Sequence, residues 1–326
     1  MTEVTPMTKA RTARRRHDGQ PGYRMYVVRV ARAERLGPSF VRLTFTGDSL
    51  REFGAGGADQ RIKLLLPQPG RTIADIPHGE DWYPRWQAMP DDVRPTMRTY
   101  TVRAYRPEVA EIDVDFVLHG VDEGHGGPAS RWAAAAAPGD IAVLCGPDRP
   151  GNGRMWGCEW LPPETARQVV LAGDETALPA VASIVESLPP DARGIVCVEV
   201  PTAGDVQWWR APEGVEIRWS VRQRANRPTP HGSLLETALA DALAELCEPA
   251  RRAASSELDD VDVDTTLLWE VPEQRESVDA TGGELYGWLA GEAAVIKRLR
   301  RMMVGDYGVP RGSVAFMGYW RQGRCN

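Results

Sequence analysis

The sequence lacks any pair of cysteines close enough to read as a metal or redox motif. Its five cysteines, Cys145, Cys158, Cys197, Cys247 and Cys325, are scattered along 326 residues. That spacing offers no zinc or iron–sulfur ligand set and fits reduced thiols in the cytoplasm. Long apolar runs are missing too, and none reaches the length that spans a bilayer. Positive charge is not in excess: the formal net charge is −6, which argues against nucleic acid as the main partner. The one dense basic run, Lys9 to His17, has no apolar periodicity and is expected to be a solvated, disordered tail rather than an electrostatic tether. Asp18 to Pro21 follow its three arginines where a secretory signal would need an apolar stretch. There is no nucleophile elbow and no pair of acids flanked by apolar turns. Electron chemistry here needs an organic carrier.

What the chain does have is a change of rhythm near Pro162-Pro163. Before it, Tyr23–Arg32, Phe40–Thr46, Arg61–Leu66, Met97–Tyr105, Ile112–Leu118 and Asp140–Leu144 read as short strands rich in β-branched residues. Such a run predicts an antiparallel barrel over residues 22–162, after the tail at 1–21. A Pro- and Trp-rich insert, Pro67 to Pro95, is expected to form no regular element. After it, strands at Gln168–Ala172, Gly194–Val200, Val215–Val221, Thr265–Val271 and Gly312–Met317 alternate with helices at Leu178–Leu188, Ser233–Leu246 and Glu284–Met303. That alternation predicts a doubly wound parallel-sheet α/β domain of the nucleotide-binding type over 163–326. Ser233 is placed as a helix N-cap, and residues 248–264 as an acidic surface loop.

Four constellations carry chemistry. Arg98-Thr99-Tyr100-Thr101-Val102-Arg103 alternates along a strand, with Arg98, Tyr100 and Val102 on one face. A guanidinium clamps phosphate and a tyrosine ring stacks on a flat heterocycle, although solvated arginines on an edge strand give the same pattern. His119-Gly120, then Gly126 to Ala134, runs small residues into a helix start, where backbone N–H groups and the helix dipole suit a pyrophosphate. A Gly/Pro loop capped by Ser130 is the plain alternative. Together the two suit a dinucleotide with a flat ring at one end, a description that fits FAD.

The third constellation, Leu171 to Ala180, is not a GxGxxG fingerprint. It does set Gly173 and Thr176 at the carboxyl end of a strand, where open α/β sheets bind ligands; a capped strand-to-helix turn would look the same. The fourth joins Trp288 to Ala293 with Gly318 to Gly323. Leu285–Ala290 reads equally as strand end or first helical turn, and the aromatics serve equally to seal a domain interface.

In this order and spacing, RTYTVR, GPASRWA, AGDETALPA and WLAGE…YWR resemble the siderophore-interacting protein family, FAD-dependent ferric-siderophore reductases within the ferredoxin reductase-like superfamily. The similarity runs from about Tyr23 to Gly323. It implies that Arg98, Tyr100 and Thr101 contact the flavin phosphate, ring and ring edge, and that His119, Gly127, Pro128, Ala129 and Ser130 wrap the FAD pyrophosphate and adenine half. Gly173, Asp174, Thr176 and Ala177 would line the nicotinamide cleft, with Gly291 and Glu292 on a second loop. Lys63, Arg321 and Arg131 are the candidates for attracting an anionic ferric siderophore. Two departures stand out: the expansion Val121 to Gly127 with His125, and the acidic residues 257–264.

The implied chemistry is hydride from NADPH or NADH to FAD, then single electrons to Fe(III) in the cytoplasm, with no side chain acting as acid or base. A ferredoxin is the alternative donor. Other acceptors (free flavin, a quinone, a ferredoxin) and a non-enzymatic siderophore-binding protein are the competing readings. Arg218, Arg222 and Arg224 offer either a site for a 2′-phosphate or a solvated cluster.

Overall fold

A computed structural model describes residues 22–79, 81–122, 124–148, 157–163, 166–224, 227–247, 268–272 and 285–323. Six strands, β1 (Tyr23–Gly37), β2 (Phe40–Thr46), β3 (Arg61–Leu66), β4 (Thr96–Arg106), β5 (Glu111–Val117) and β6 (Ile141–Pro147), close into an antiparallel barrel in the order β1-β2-β5-β4-β3-β6. Alternation drives it: Leu43, Phe45, Ile62, Leu64, Val114 and Phe116 point into one core. Their outward neighbours pair in ladders such as Arg42 with Asp115 at 2.6 Å.

The insert between β3 and β4 contains regular elements, contrary to expectation. It holds a 3₁₀ turn, Ile73–Asp75, and helix α1 (Trp82–Ala88). Trp82 and Trp86, with Ile76 of the same insert, pack on Leu65, Val143 and Cys145 of the barrel's outer face, a small satellite core. Arg94 ends the helix by donating to the carbonyls of Trp86, Gln87 and Met89. Irregular polarity hid a helix that is short because its apolar residues are aromatic and few. Helix α2 (Pro128–Ala135) follows β5.

The second half is a six-stranded sheet ordered β12-β14-β13-β7-β8-β9, built from β7 (Gln168–Gly173), β8 (Arg193–Val200), β9 (Gly214–Val221), β12 (Trp269–Glu270), β13 (Leu285–Glu292) and β14 (Val314–Trp320), with β10 (Gln223–Arg224) and β11 (Arg227–Pro228) forming a separate two-stranded ribbon. The pairs from β14 to β9 are parallel, and β12 adds an antiparallel edge. Helix α3 (Leu178–Ser187) covers one face, and α4 (Ser233–Leu246) with α5 (Ala293–Arg300) the other. No helix among the described residues is long and apolar enough to cross a membrane.

Three expectations are corrected here. The helix expected at Glu284–Met303 is strand β13 followed by α5 and a π-helical turn, Arg301–Asp306. Every residue of β13 is buried, so its apolar run shows no period by which to tell strand from helix. The strand expected at Thr265–Val271 is only Trp269–Glu270, with 265–267 outside the described residues. The N-cap of α4 is Gly232, not Ser233. Gly232 sits at φ +82°, and a Cβ there would lie 2.3 Å from Val295 Cγ2, so only glycine fits. The capping acceptor comes from elsewhere: Glu199, at the end of β8, accepts from the Gly232 and Leu235 amides at 2.8 and 2.9 Å. The basic tail, Cys325 and the acidic loop at 257–264 lie outside the described residues.

Phe116 ties the barrel core to the expected flavin strand, its ring centroid 4.3 Å from that of Tyr100. Phe116→Ala is expected to lower the unfolding free energy by about 3–5 kcal/mol, measured by urea denaturation.

Candidate functional site

Strand β4 carries the first group. Thr101 is buried and pairs in register with Arg61, Tyr100 with Ile62, and Arg98 with Leu64. The Tyr100 ring backs onto the barrel core, and burial pushes its hydroxyl well above the ordinary range. Arg98 is half-buried and donates to the Met97 carbonyl at 2.9 Å. Lys63 lies on the opposite face of the neighbouring strand, its Nζ 2.6 Å from Thr99 Oγ1.

The second group begins α2. Gly127 is the N-cap, no side chain caps the helix, and Pro128 occupies its first turn. A Cβ at Gly127 would meet nothing within 4 Å. An uncapped helix start behind open space is a fit for a pyrophosphate, whose oxygens need N–H donors and close approach. Ala129 is buried. The Ser130 hydroxyl turns inward to the Val117 carbonyl at 3.0 Å, so only its backbone faces that end. Arg131 donates to the Gly126 carbonyl and braces the loop.

The third and fourth groups converge on one carboxylate. Asp174 follows β7 and is almost wholly buried. Its Oδ1 accepts from Thr176 N at 2.9 Å and Thr176 Oγ1 at 2.5 Å. Its Oδ2 accepts from Glu292 N and from Trp320 Nε1, both at 2.8 Å. Burial, with the neighbouring Glu175 charge, pushes the Asp174 carboxyl above its usual value. Gly291, at φ +154°, must be glycine because a Cβ would lie 2.7 Å from Asp174 Oδ2. Gly173 lets Ala177, at the start of α3, pack against the strand: a Cβ there would lie 2.6 Å from the Ala177 Cβ. Glu292 caps α5 through the Val295 amide at 2.9 Å and accepts from Gln322 N at 3.3 Å. Half-buried Arg321 follows β14 directly.

Around this hub lies a polar cluster that the sequence reading did not assemble. His119, leaving the barrel, sits 5.4 Å from the Trp320 ring and 3.7 Å from Glu175. His231 meets Trp320 edge-on at 5.2 Å and lies 3.5 Å from Asp174 and 3.7 Å from Glu175, too far for a hydrogen bond. Arg222 grips Glu175 at 2.5 and 2.7 Å and Glu199 at 3.0 Å, while Arg218 is held by Glu216 and Glu245. Two of the three arginines proposed for a 2′-phosphate are thus engaged, and the Arg224 side chain is outside the described residues. His231 carried no signal in sequence, since its partners lie far away along the chain.

Burial alone would raise the Glu175 carboxyl, but His231 and Arg222 prevail and bring it down to about 2. Burial likewise opposes the charge on His231, yet Glu175 and Asp174 lift its pKa above the ordinary value.

A closed antiparallel barrel with an uncapped helix start, followed by a parallel sheet whose carboxyl edge faces it, defines a two-part protein with an FAD-binding barrel. Residues 29–151 match the siderophore-interacting FAD-binding domain, and residues 166–323 match the siderophore-interacting protein domain. The chain belongs to the siderophore-interacting protein family. It is 28% identical over 293 residues to the ferric vibriobactin reductase ViuB of Vibrio cholerae, covering 90% of this chain and 88% of that protein. An uncharacterised Mycobacterium tuberculosis protein, Rv2895c, is 30% identical over 306 residues, covering 93% and 92%. Among solved structures, a siderophore utilisation protein from T. fusca superposes with a TM-score of 0.67 at 29% identity, covering 95% of this chain and 97% of that one.

The Glu175 shift has a sign. A carboxyl depressed when folded stabilises the fold above its ordinary pKa of about 4.5, and that stability is lost as pH falls towards about 2. Arg222→Gln is expected to cost about 3–5 kcal/mol at neutral pH by stranding buried carboxylates. It should also move the acid-unfolding midpoint, followed by circular dichroism, to higher pH.

Proposed function

We propose that this chain is a ferric-siderophore reductase that holds FAD on the barrel and takes electrons from NADPH or NADH. The observation that carries the reading is convergence. His119, from the barrel segment expected to wrap FAD, lies against Glu175, from the segment expected to line the nicotinamide cleft, and against Trp320, whose indole holds Asp174 of that same segment. Kinship with a protein named for ferric vibriobactin reduction supports the acceptor. When bound, FAD supplies the exchange between a two-electron hydride from NAD(P)H, leaving NAD(P)+, and two one-electron reductions of Fe(III) to Fe(II).

The chain's own part is placement. In this reading Arg98 and the amides opening α2 hold the diphosphate, and Tyr100, backed by Phe116, presents a rigid ring to the flavin. Thr101 meets the flavin edge. Ala177 and Thr176 open α3 beside the nicotinamide. Gly173, Asp174, Gly291 and Glu292 serve that cleft by fixing its backbone and not as direct ligands, because their bonding capacity is turned inward. Lys63, Arg131 and Arg321 supply positive charge for an anionic chelate. Fe(II) binds hard oxygen donors more weakly than Fe(III), so reduction frees the iron.

The purified protein is expected to be yellow, to bleach anaerobically with NADPH or NADH, and to recover its flavin bands on adding a ferric siderophore, with Fe(II) appearing in a ferrous-chelator assay. Colourless protein that takes up no FAD overturns the reading.

A further inference from the structure

The two halves are fastened by a buried joint that no motif announced. Asp59, just before β3, is wholly buried, and its carboxylate crosses between the halves. It accepts from the Glu159 and Trp160 amides at 2.8 and 3.1 Å and from Trp288 Nε1 of β13 at 3.3 Å. Two residues on, Arg61 lays its guanidinium over Trp269 of β12, 4.3 Å from the ring centroid. It also reaches Glu159 at 3.0 Å and the Met317 sulfur of β14 at 3.7 Å. Trp269 in turn stacks on Tyr319 with centroids 6.0 Å apart and planes 15° from parallel, and Tyr319 meets Trp288 edge-on at 6.2 Å.

The joint touches both sides of the expected reaction. On the barrel, Arg61 pairs in register with Thr101 and shares its strand with Lys63. On the sheet, Tyr319 adjoins Trp320, whose indole holds Asp174. A side chain fixed by a planar stack, an ion pair and burial holds its angle as well as its distance. Hydride transfer needs the reacting atoms about 3–3.5 Å apart, so a displacement of about 1 Å costs on the order of a hundredfold. Electron passage to iron is far less sensitive to such a shift.

We propose that Arg61 is a positioning residue for electron entry: through Trp269 and Tyr319 it sets the C-terminal strand against the flavin face of the barrel. The inference rests on the reductase reading. It assigns Arg61 to the step that spans the two halves and leaves the step from flavin to iron untouched.

The test uses Arg61→Gln and Arg61→Lys in the FAD-loaded protein. Anaerobic bleaching by saturating NADPH or NADH should slow by about 10- to 100-fold in Arg61→Gln. Arg61→Lys, which keeps the charge but not the planar stack, should fall in between. A second readout needs no turnover: NADP+ or NAD+ added to dithionite-reduced wild type should give a long-wavelength charge-transfer band, and this band should be lost in Arg61→Gln. Reoxidation of dithionite-reduced protein by ferric siderophore should match wild type. Bleaching at the wild-type rate with the band intact overturns the inference, as does an equal loss in both half-reactions. Should Arg61→Gln fail to fold, Trp269→Leu removes the stack from the other side and must show the same split. Wild type that neither nucleotide bleaches would defeat the reductase reading itself; bleaching of wild type and variants alike defeats only the role of Arg61.

Discussion

The arrangement at the carboxyl edge of the sheet depends on one carboxylate accepting four hydrogen bonds. Asp174 gathers Thr176, Glu292 and Trp320, which come from the turn after β7, the end of β13 and the end of β14. A carboxylate has about four lone-pair sites, and here they are filled. Burying such a charge is costly unless every site is used, which explains why Gly291 is glycine and why Trp320 turns its indole inward. The hub makes three separate segments into a single wall.

Around it the charges form a chain. Glu175 is shared by Arg222 and two histidines, Arg222 continues to Glu199, and Glu199 caps α4. The histidine and carboxylate shifts run in opposite directions with pH. His231, lifted above its ordinary value, contributes below that value and loses its contribution as pH rises through the lifted one, while Glu175 loses its own only in acid. The two shifts act together: each favours the charged form of its own group, Glu175 as carboxylate and His231 as imidazolium. Acidic side chains at this edge serve the fold, since each is engaged by backbone amides, Trp320 or Arg222.

The barrel was legible because its strands alternate and end at Gly or Pro, and Phe40–Thr46 and Arg61–Leu66 are found at the expected bounds. The parallel sheet was legible as a class but not in its centre. Strand β13 is buried on both faces, and a sequence without alternation gives no period to read. The short motifs did not reveal what their side chains do within the fold. Ser130, Glu292 and Asp174 lie where ligands were expected, yet their side chains bond to Val117, Val295 and Thr176. His231, Arg61 and Asp59 were invisible for the opposite reason: each acts through partners brought close only by folding.

How the halves are held follows from where the apolar surface goes. The barrel closes its own core, and the sheet closes cores on its two faces; from the barrel strands, Phe40 and Val117 join the core under α3. Hydrophobic contact is non-directional, so this overlap fixes adhesion more firmly than angle. The angle is left to directional contacts spread along the seam. Ser39 donates twice to Asp205, at 2.8 and 2.9 Å, Arg103 pairs with Glu186 at 2.8 Å, and Asp59 with Arg61 engages the far edge. Three polar anchors, at the turn between β1 and β2, on β4 and at the start of β3, define an orientation, as one apolar patch cannot. A reaction that crosses the seam inherits its precision from them.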